Sequence, residues 1–259
     1  MRIVIKVGTS TLAHSTGHLN IRHAEELTKV LSDLKNAGNE IILVSSGAIG
    51  LGVGKLNLPG RPDDMPGKQA AAAVGQCELM YTYDQMFSRY NVTIGQILLT
   101  GEDVENETRR VNFENTLERL LNLGALPIIN ENDTVSTSEI AVGDNDTLSA
   151  IVAVSAHADL LVLLSDIDGL YTADPRKDPN AKLIPVVPVI DEKVEALAGD
   201  AGSELGTGGM STKIKAAKLT TSGGCDMIIA NGKDASVLYD IVDGKPVGTR
   251  FPAERSNND

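Results

Sequence analysis

A chain of 259 residues, 42% of them hydrophobic, can bury a substantial core as one large α/β domain or two small ones. A net charge of −12, no Lys/Arg block, no Trp and 3% aromatic residues disfavour nucleic acid and anionic membrane surfaces as partners. No apolar run approaches the roughly 20 residues of a membrane span. The first six residues are too soon polar for a signal peptide, and Cys77 and Cys225 lack metal-type spacing, so a cytoplasmic setting is expected.

Strand and helix patterns alternate along the chain. Residues 2–7 read as a buried strand. Asn20 is placed to cap a helix whose Ala24, Leu27, Val30, Leu31 and Leu34 form one apolar face, closing at Gly38. Residues 40–44 form a second apolar run, ending at Ser45-Ser46-Gly47. Residues 70–90 read as helix, 92–99 as strand, 109–123 as helix and 125–129 as strand. The pattern continues with a helix over 147–157, a strongly apolar strand over 160–164, and further alternation through 211–221, 227–230 and 236–242. Apolar strands separated by amphipathic helices indicate a mostly parallel sheet covered on both faces.

In such sheets ligands bind outside the carboxyl ends of the strands, and the polar motifs fall there. Lys6-Val7-Gly8-Thr9-Ser10 follows the first strand and Ser45-Ser46-Gly47 the second. Asn130-Glu131-Asn132-Asp133 and Ser165-Asp166 follow later apolar runs, and Gly143-Asp144-Asn145-Asp146 precedes a helix. The run Gly206-Thr207-Gly208-Gly209-Met210-Ser211-Thr212-Lys213 leads into another helix, where backbone N–H groups and a first-turn lysine suit a phosphate. It is not a Walker A loop, since no Gly-x-x-x-x-Gly-Lys-Ser/Thr occurs. Each motif has a plainer reading. Lys6 could be a snorkelling strand-end lysine, Lys213 a solvated one, and Asp144 to Asp146 helix caps.

Together, and in this order, these segments resemble the amino acid kinase family. The match is to its branch that phosphorylates the side-chain carboxylate of free L-glutamate, and it includes Asp166-Ile167-Asp168-Gly169-Leu170-Tyr171 and Gly248-Thr249-Arg250-Phe251. The resemblance implies a three-layer αβα sandwich around a mostly parallel eight-stranded sheet. It implies a glutamate-binding part over about residues 1–158 and a nucleotide-binding part over about 159–259. The implied reaction converts ATP and L-glutamate to ADP and L-glutamyl 5-phosphate, the first step of proline biosynthesis. By resemblance Lys6 and Lys213 bracket the transferring phosphoryl group, and Asp146 orients them. Ser46, Asp133, Asn145, Asn130 and Asp144 would hold glutamate. Gly8, Ser165, Asp166, Thr207, Gly208, Gly209, Met210, Ser211 and Thr212 would serve the nucleotide with the two lysines.

Mg²⁺ is implied by the nucleotide, without a named protein ligand. Feedback inhibition by proline, a homo-oligomer, and transfer of the labile product to glutamate-5-semialdehyde dehydrogenase are further implications. Many members of the branch carry a C-terminal PUA domain, which is not expected here. Val142 stands where an aromatic often precedes the Gly-Asp-Asn-Asp motif. The alternatives are a family member acting on N-acetylglutamate or UMP, and a non-catalytic sensor on the same fold.

Overall fold

The computed structural model describes residues 1–14, 16, 18–136, 144–198 and 209–254. Strands β1 (Arg2–Val7), β2 (Glu40–Ser45), β3 (Ile94–Leu99), β4 (Leu126–Glu131), β5 (Leu160–Ser165), β6 (Asp226–Asn231) and β7 (Thr249–Phe251) form one sheet in the order β3-β4-β2-β1-β5-β6-β7. All neighbours run parallel except β6 and β7, which pair antiparallel. Among the described residues the sheet therefore has seven strands, where the resemblance implied eight. The first strand lies in the middle, and the chain fills one flank before crossing to the other. That reversal between β2 and β5 is a topological switch point, which leaves a crevice at the carboxyl ends of the strands.

The two faces of the sheet bury separate clusters. Ile3, Ile5 and Val7 of β1 join Leu43, Ile128 and Val162 under α2 (Ile21–Asn36), α4 (Met65–Ser88) and α10 (Val237–Val242). Val4 joins Ile42, Ile129 and Leu161 on the opposite face, under α6 (Glu107–Asn122), α7 (Asn145–Ser155) and α9 (Met210–Ser222). A strand alternates its side chains, so Lys6 shares the face of Val4 and points toward α7 and α9. Placement of the first cation thus follows from strand parity.

Local signals explain most helix starts. Asn20 accepts from the His23 N–H at 3.3 Å, and Ala24, Leu27, Leu31 and Leu34 are buried beneath that cap. Asp64, Thr100 and Asn106 cap α4, α5 (Gly101–Glu105) and α6. Helix α4 begins at Met65, ahead of the residue 70 read from the pattern, because Pro66 in its first turn is compatible with a helix start. A four-residue α1 (Thr9–Leu12), α3 (Ala48–Lys55) and α8 (Glu192–Ala198) were not legible as helices. Helix α3 carries three glycines in eight residues and forms by packing: a β-carbon on Gly52 would stand 1.8 Å from the carbonyl oxygen of Ala71 in α4.

Among the described residues, no helix is long and apolar enough to cross a membrane.

Candidate functional site

At the switch point, Lys6 Nζ at the end of β1 lies 2.7 Å from Asp146 Oδ1, and Lys213 Nζ lies 3.0 Å from Asp146 Oδ2. Thr212 Oγ1 donates to the same Oδ2 at 2.8 Å, one residue before Lys213 on α9. Asp146 is 1% exposed and Lys213 is buried. Burial pushes the Asp146 carboxyl up, but the two ammonium groups and their hydrogen bonds prevail and hold it down at about 2. It is therefore an anion at any physiological pH. Two lysines brought this close would repel each other; the carboxylate between them removes that cost and fixes both Nζ atoms.

Two cavities flank this cluster. One, of about 380 Å³, is lined by Ser165, Asp166, Tyr171, Gly209, Met210 and Lys213, among others. Ser165 Oγ donates to Asp166 Oδ1 at 3.2 Å just past β5. Asp174 both lines this cavity and builds a turn, accepting from the Arg176 N–H at 3.0 Å. The N-cap of α9 is Gly209, which offers no capping side chain, so the first N–H groups of that helix remain for a ligand beside Lys213. Ser211 is exposed and does not line the cavity. Thr207 and Gly208 lie outside the described residues, as do Gly206, Gly143 and Val142.

The second cavity, of about 720 Å³, is lined by Ser46, Asn130, Asp133, Asp144 and Asn145, all five residues expected at the acceptor. Thr9 and Ser10 also line it, and Gly8 sits beside them, where a β-carbon would lie 3.7 Å from Lys6 Nζ. Helix α3 starts here without a side-chain cap, because its N-cap is Gly47 at φ 111°, a backbone state that L side chains rarely adopt. The Ala48, Ile49 and Gly50 end of α3 therefore faces the cavity with N–H groups that no capping side chain takes up, a setting for a carboxylate.

The five residues expected at the acceptor differ in their commitments. Asn145 Nδ2 donates to Ser46 Oγ at 2.7 Å and to Asn130 Oδ1 at 3.0 Å. Asp144 caps α7 with both oxygens: Oδ1 accepts from the Thr147 N–H at 2.8 Å and Oδ2 from Thr147 Oγ1 at 2.9 Å. Asp133 is half-buried; desolvation, reinforced by Glu131 and opposed by Arg61, pushes its carboxyl up to about 6.

Sequence reasoning passed over three contributors. His14 and Arg61 line the larger cavity. Helix α4 braces it from behind: Gln76 Oε1 accepts from Asn130 Nδ2 at 2.9 Å, Gln69 Nε2 donates to the Ser136 carbonyl at 3.3 Å, and Tyr83 Oη pairs with Ser45 Oγ at 2.9 Å. Only Arg61, beside Gly60 and Pro62, carried a local signal, that of a turn.

The arrangement suits transfer of an anionic group between two ligands. Lys213 faces the smaller cavity, Asn145 lines the larger one, and Asp146, next to Asn145 in sequence, grips Lys213 and Lys6 together. Among the described residues, no cluster of three His, Cys, Asp or Glu side chains is disposed to hold a metal ion.

Comparison with known proteins agrees with this architecture. Two solved structures share the fold: an isopentenyl phosphate kinase from T. acidophilum (TM-score 0.65, 17% identity, 97% of this chain and 100% of that one) and a carbamate kinase from Giardia lamblia (TM-score 0.69, 16% identity, 98% of each). Curated relatives described as glutamate 5-kinase are much nearer in sequence. That of Clostridium tetani is 56% identical over 97% of this chain and 94% of its own length, and that of Clostridium perfringens 50% identical over 98% and 96%. The relative from Carboxydothermus hydrogenoformans is 54% identical over 96% of this chain, which spans 67% of that protein. The model of the amino acid kinase family matches residues 1–231, and with these relatives it establishes that the chain belongs to the amino acid kinase family.

Proposed function

We propose that this protein transfers the γ-phosphoryl group of ATP to the side-chain carboxylate of L-glutamate, giving ADP and L-glutamyl 5-phosphate. The observation that carries this reading is the Lys6–Asp146–Lys213 cluster, which joins two cavities of complementary chemistry. Glutamate as acceptor, and with it a first step of proline biosynthesis, draws on relatives that are 50–56% identical and bear that activity in their names.

The acceptor carboxylate, with an ordinary pKa of about 4.3, is already ionised at neutral pH, so no general base is required. The barrier is the approach of one anion to another, and it is lowered by positioning and cationic stabilisation. The α9 N–H groups and Lys213 hold the nucleotide phosphates in the smaller cavity, with Ser165, Asp166, Gly209 and Met210 as its walls. Lys6 and the Gly8 backbone meet the phosphoryl group from the acceptor side. Asp146 keeps both lysines in place without taking a proton, and Thr212 steadies its carboxylate. Ser46 and the open end of α3 receive the α-carboxylate. Asp133 and Asn145 accept from the α-ammonium, with Asn130 behind them and Asp144 serving as the cap of α7.

Mg²⁺ would accompany the nucleotide and supply positive charge at its phosphates, which would ask little of protein carboxylates. Lys213 and the α9 N–H groups serve the phosphates, both Asp146 oxygens are engaged by lysines, and the carboxylates that line the smaller cavity are Asp166, Asp174 and Asp178. The smaller cavity is lined from Ser165 to Lys213 and the larger from Thr9 to Asn145, which supports a division near residue 158 into nucleotide and glutamate parts. A cytoplasmic location, proline inhibition, a homo-oligomer and product transfer to glutamate-5-semialdehyde dehydrogenase belong to the same reading.

Purified protein with Mg-ATP and hydroxylamine tests it, with L-glutamate, N-acetylglutamate, aspartate and UMP in parallel. Hydroxamate and ADP with free glutamate alone are the expected result. ADP with UMP and no hydroxamate would move the protein to nucleotide phosphorylation. Silence with every acceptor, from folded protein that binds ATP, would favour a sensor.

A further inference from the structure

Behind the larger cavity runs a chain of amides whose direction is set by one group that can only donate. The Glu131 backbone N–H donates to Asn130 Oδ1 at 2.9 Å. With its oxygen held there, Asn130 must turn its NH₂ the other way, and Nδ2 donates to Gln76 Oε1 at 2.9 Å inside the protein. Asn130 and Gln76 are 3% and 8% exposed, so water cannot substitute freely for either partner. Asn145 meets the oxygen of Asn130 and must present its own NH₂, which donates one hydrogen to Asn130 Oδ1 and the other to Ser46 Oγ.

Two consequences reach the cavity. Ser46 Oγ accepts from Asn145, so the Ser46 hydroxyl hydrogen is left to donate. Both hydrogens of Asn145 are used, so its Oδ1 is left to accept. A donor for a carboxylate and an acceptor for an ammonium thus stand side by side, the pattern of an α-amino acid head group. A reversed amide chain would offer the opposite pattern.

We infer that Gln76 is a positioning residue for glutamate binding: by accepting from Asn130 Nδ2 it holds, together with the Glu131 N–H on the other side of that amide, the Asn130–Asn145–Ser46 chain in the polarity that reads a free α-amino acid. This rests on the glutamate reading above. Gln76 does not line the larger cavity and acts from behind it, on α4. Its own Nε2 is buried without a hydrogen-bond partner among the described residues. A buried unpaired donor is costly, and here it coexists with a well-made acceptor bond, which marks the acceptor oxygen as the useful half of the side chain.

The test compares wild type, Gln76→Met and Gln76→Glu for KM of L-glutamate, KM of ATP and thermal unfolding. Methionine keeps the volume and removes the acceptor; glutamate keeps an oxygen toward Asn130 and replaces the unpaired NH₂. Loss of one aligned polar contact should raise the glutamate KM of Gln76→Met by about tenfold or more, with the ATP KM within about twofold. Gln76→Glu should return it to within about threefold of wild type. A space-filling role would instead favour methionine over a buried carboxyl. An unchanged glutamate KM in Gln76→Met, or a Gln76→Glu variant as impaired as Gln76→Met, overturns the inference while leaving the glutamate reading intact. If Gln76→Met does not fold, Gln76→Glu decides alone, against the same threefold and tenfold marks. Wild-type protein that neither binds nor phosphorylates L-glutamate removes both readings.

Discussion

Gly75 and Ala48 meet backbone to backbone: a β-carbon on Gly75 of α4 would stand 1.7 Å from the carbonyl oxygen of Ala48, in the first turn of α3. Both sides of this contact bear on the larger cavity. Ala48 belongs to the open helix end, and Gln76, next to Gly75 in sequence, braces Asn130. We expect Gly75→Ala to push α3 and α4 apart, at a cost of roughly 1–3 kcal/mol and with a raised KM for glutamate. Denaturant unfolding and steady-state kinetics check it; an unaltered midpoint would mean the crossing can relax without loss.

Lys213 should matter more to turnover than to folding. Its removal leaves Asp146 paired to Lys6, while the proposed phosphate site loses one of its two cations. We expect Lys213→Ala to lower kcat by about a hundredfold or more, in the range seen for removed charge-stabilising groups, with a modest change in thermal midpoint. Equal collapse of folding and turnover would make Lys213 a structural residue.

Asp146 gives an acid limb to stability. Its carboxyl sits at about 2 in the folded protein against an ordinary 3.8, so the stabilisation is complete above about pH 4 and is lost as pH falls through about 2. By linkage this is worth on the order of 2 kcal/mol. Asp146→Asn strands two lysines, should cost roughly 3–5 kcal/mol at neutral pH, and should flatten that limb. Unfolding followed from pH 5 to pH 2 in both proteins tests the sign.

Asp133 works in the opposite sense. Its carboxyl is raised from an ordinary 3.8 to about 6, so a stability penalty for its ionisation builds as pH rises between those values and is complete above about 6. In the proposed reading the ionised form is the one that receives the substrate ammonium. We expect kcat/KM for L-glutamate to drop on acidification below about pH 6, by up to about tenfold per pH unit. Asp133→Asn should show a weaker glutamate affinity without this step, and stability at neutral pH no lower than wild type. A step that persists in the variant would assign the titration elsewhere.

Asp144 separates a cap from a ligand. Asp144→Ser can still cap α7 and should leave the glutamate KM within about twofold, whereas Asp144→Ala should lose about 1 kcal/mol of stability. A large rise in KM for Asp144→Ser at unchanged thermal midpoint would show that the carboxylate itself meets the substrate.

Much of this site was legible because its parts sit on local signals. The motifs with Lys6, Asn145-Asp146 and Met210-Ser211-Thr212-Lys213 stood out by their places after a strand or before a helix, and their roles came from the family resemblance. What escaped depends on contacts distant in sequence. Gln76 acquires its meaning from Asn130, with which it shares no pattern in the sequence. Helix α3 was hidden by glycines that lower helix propensity, and it forms because those glycines admit the backbone of α4. The three-residue β7 is too short to show periodicity and is defined by its pairing with β6.

The central position of β1 also bears on how the protein is made. Among the described strands of the sheet it is the first to be synthesised, and β2 can cover one of its edges early. The other edge, flanked by Ile3, Val4 and Ile5, waits for β5 at residues 160–165. At roughly 5–20 residues per second on the ribosome, an apolar strand edge stays open for many seconds. Nascent chains that stop short of β5 would therefore present a ready template for strand pairing between molecules, and chaperone demand should peak before that strand emerges.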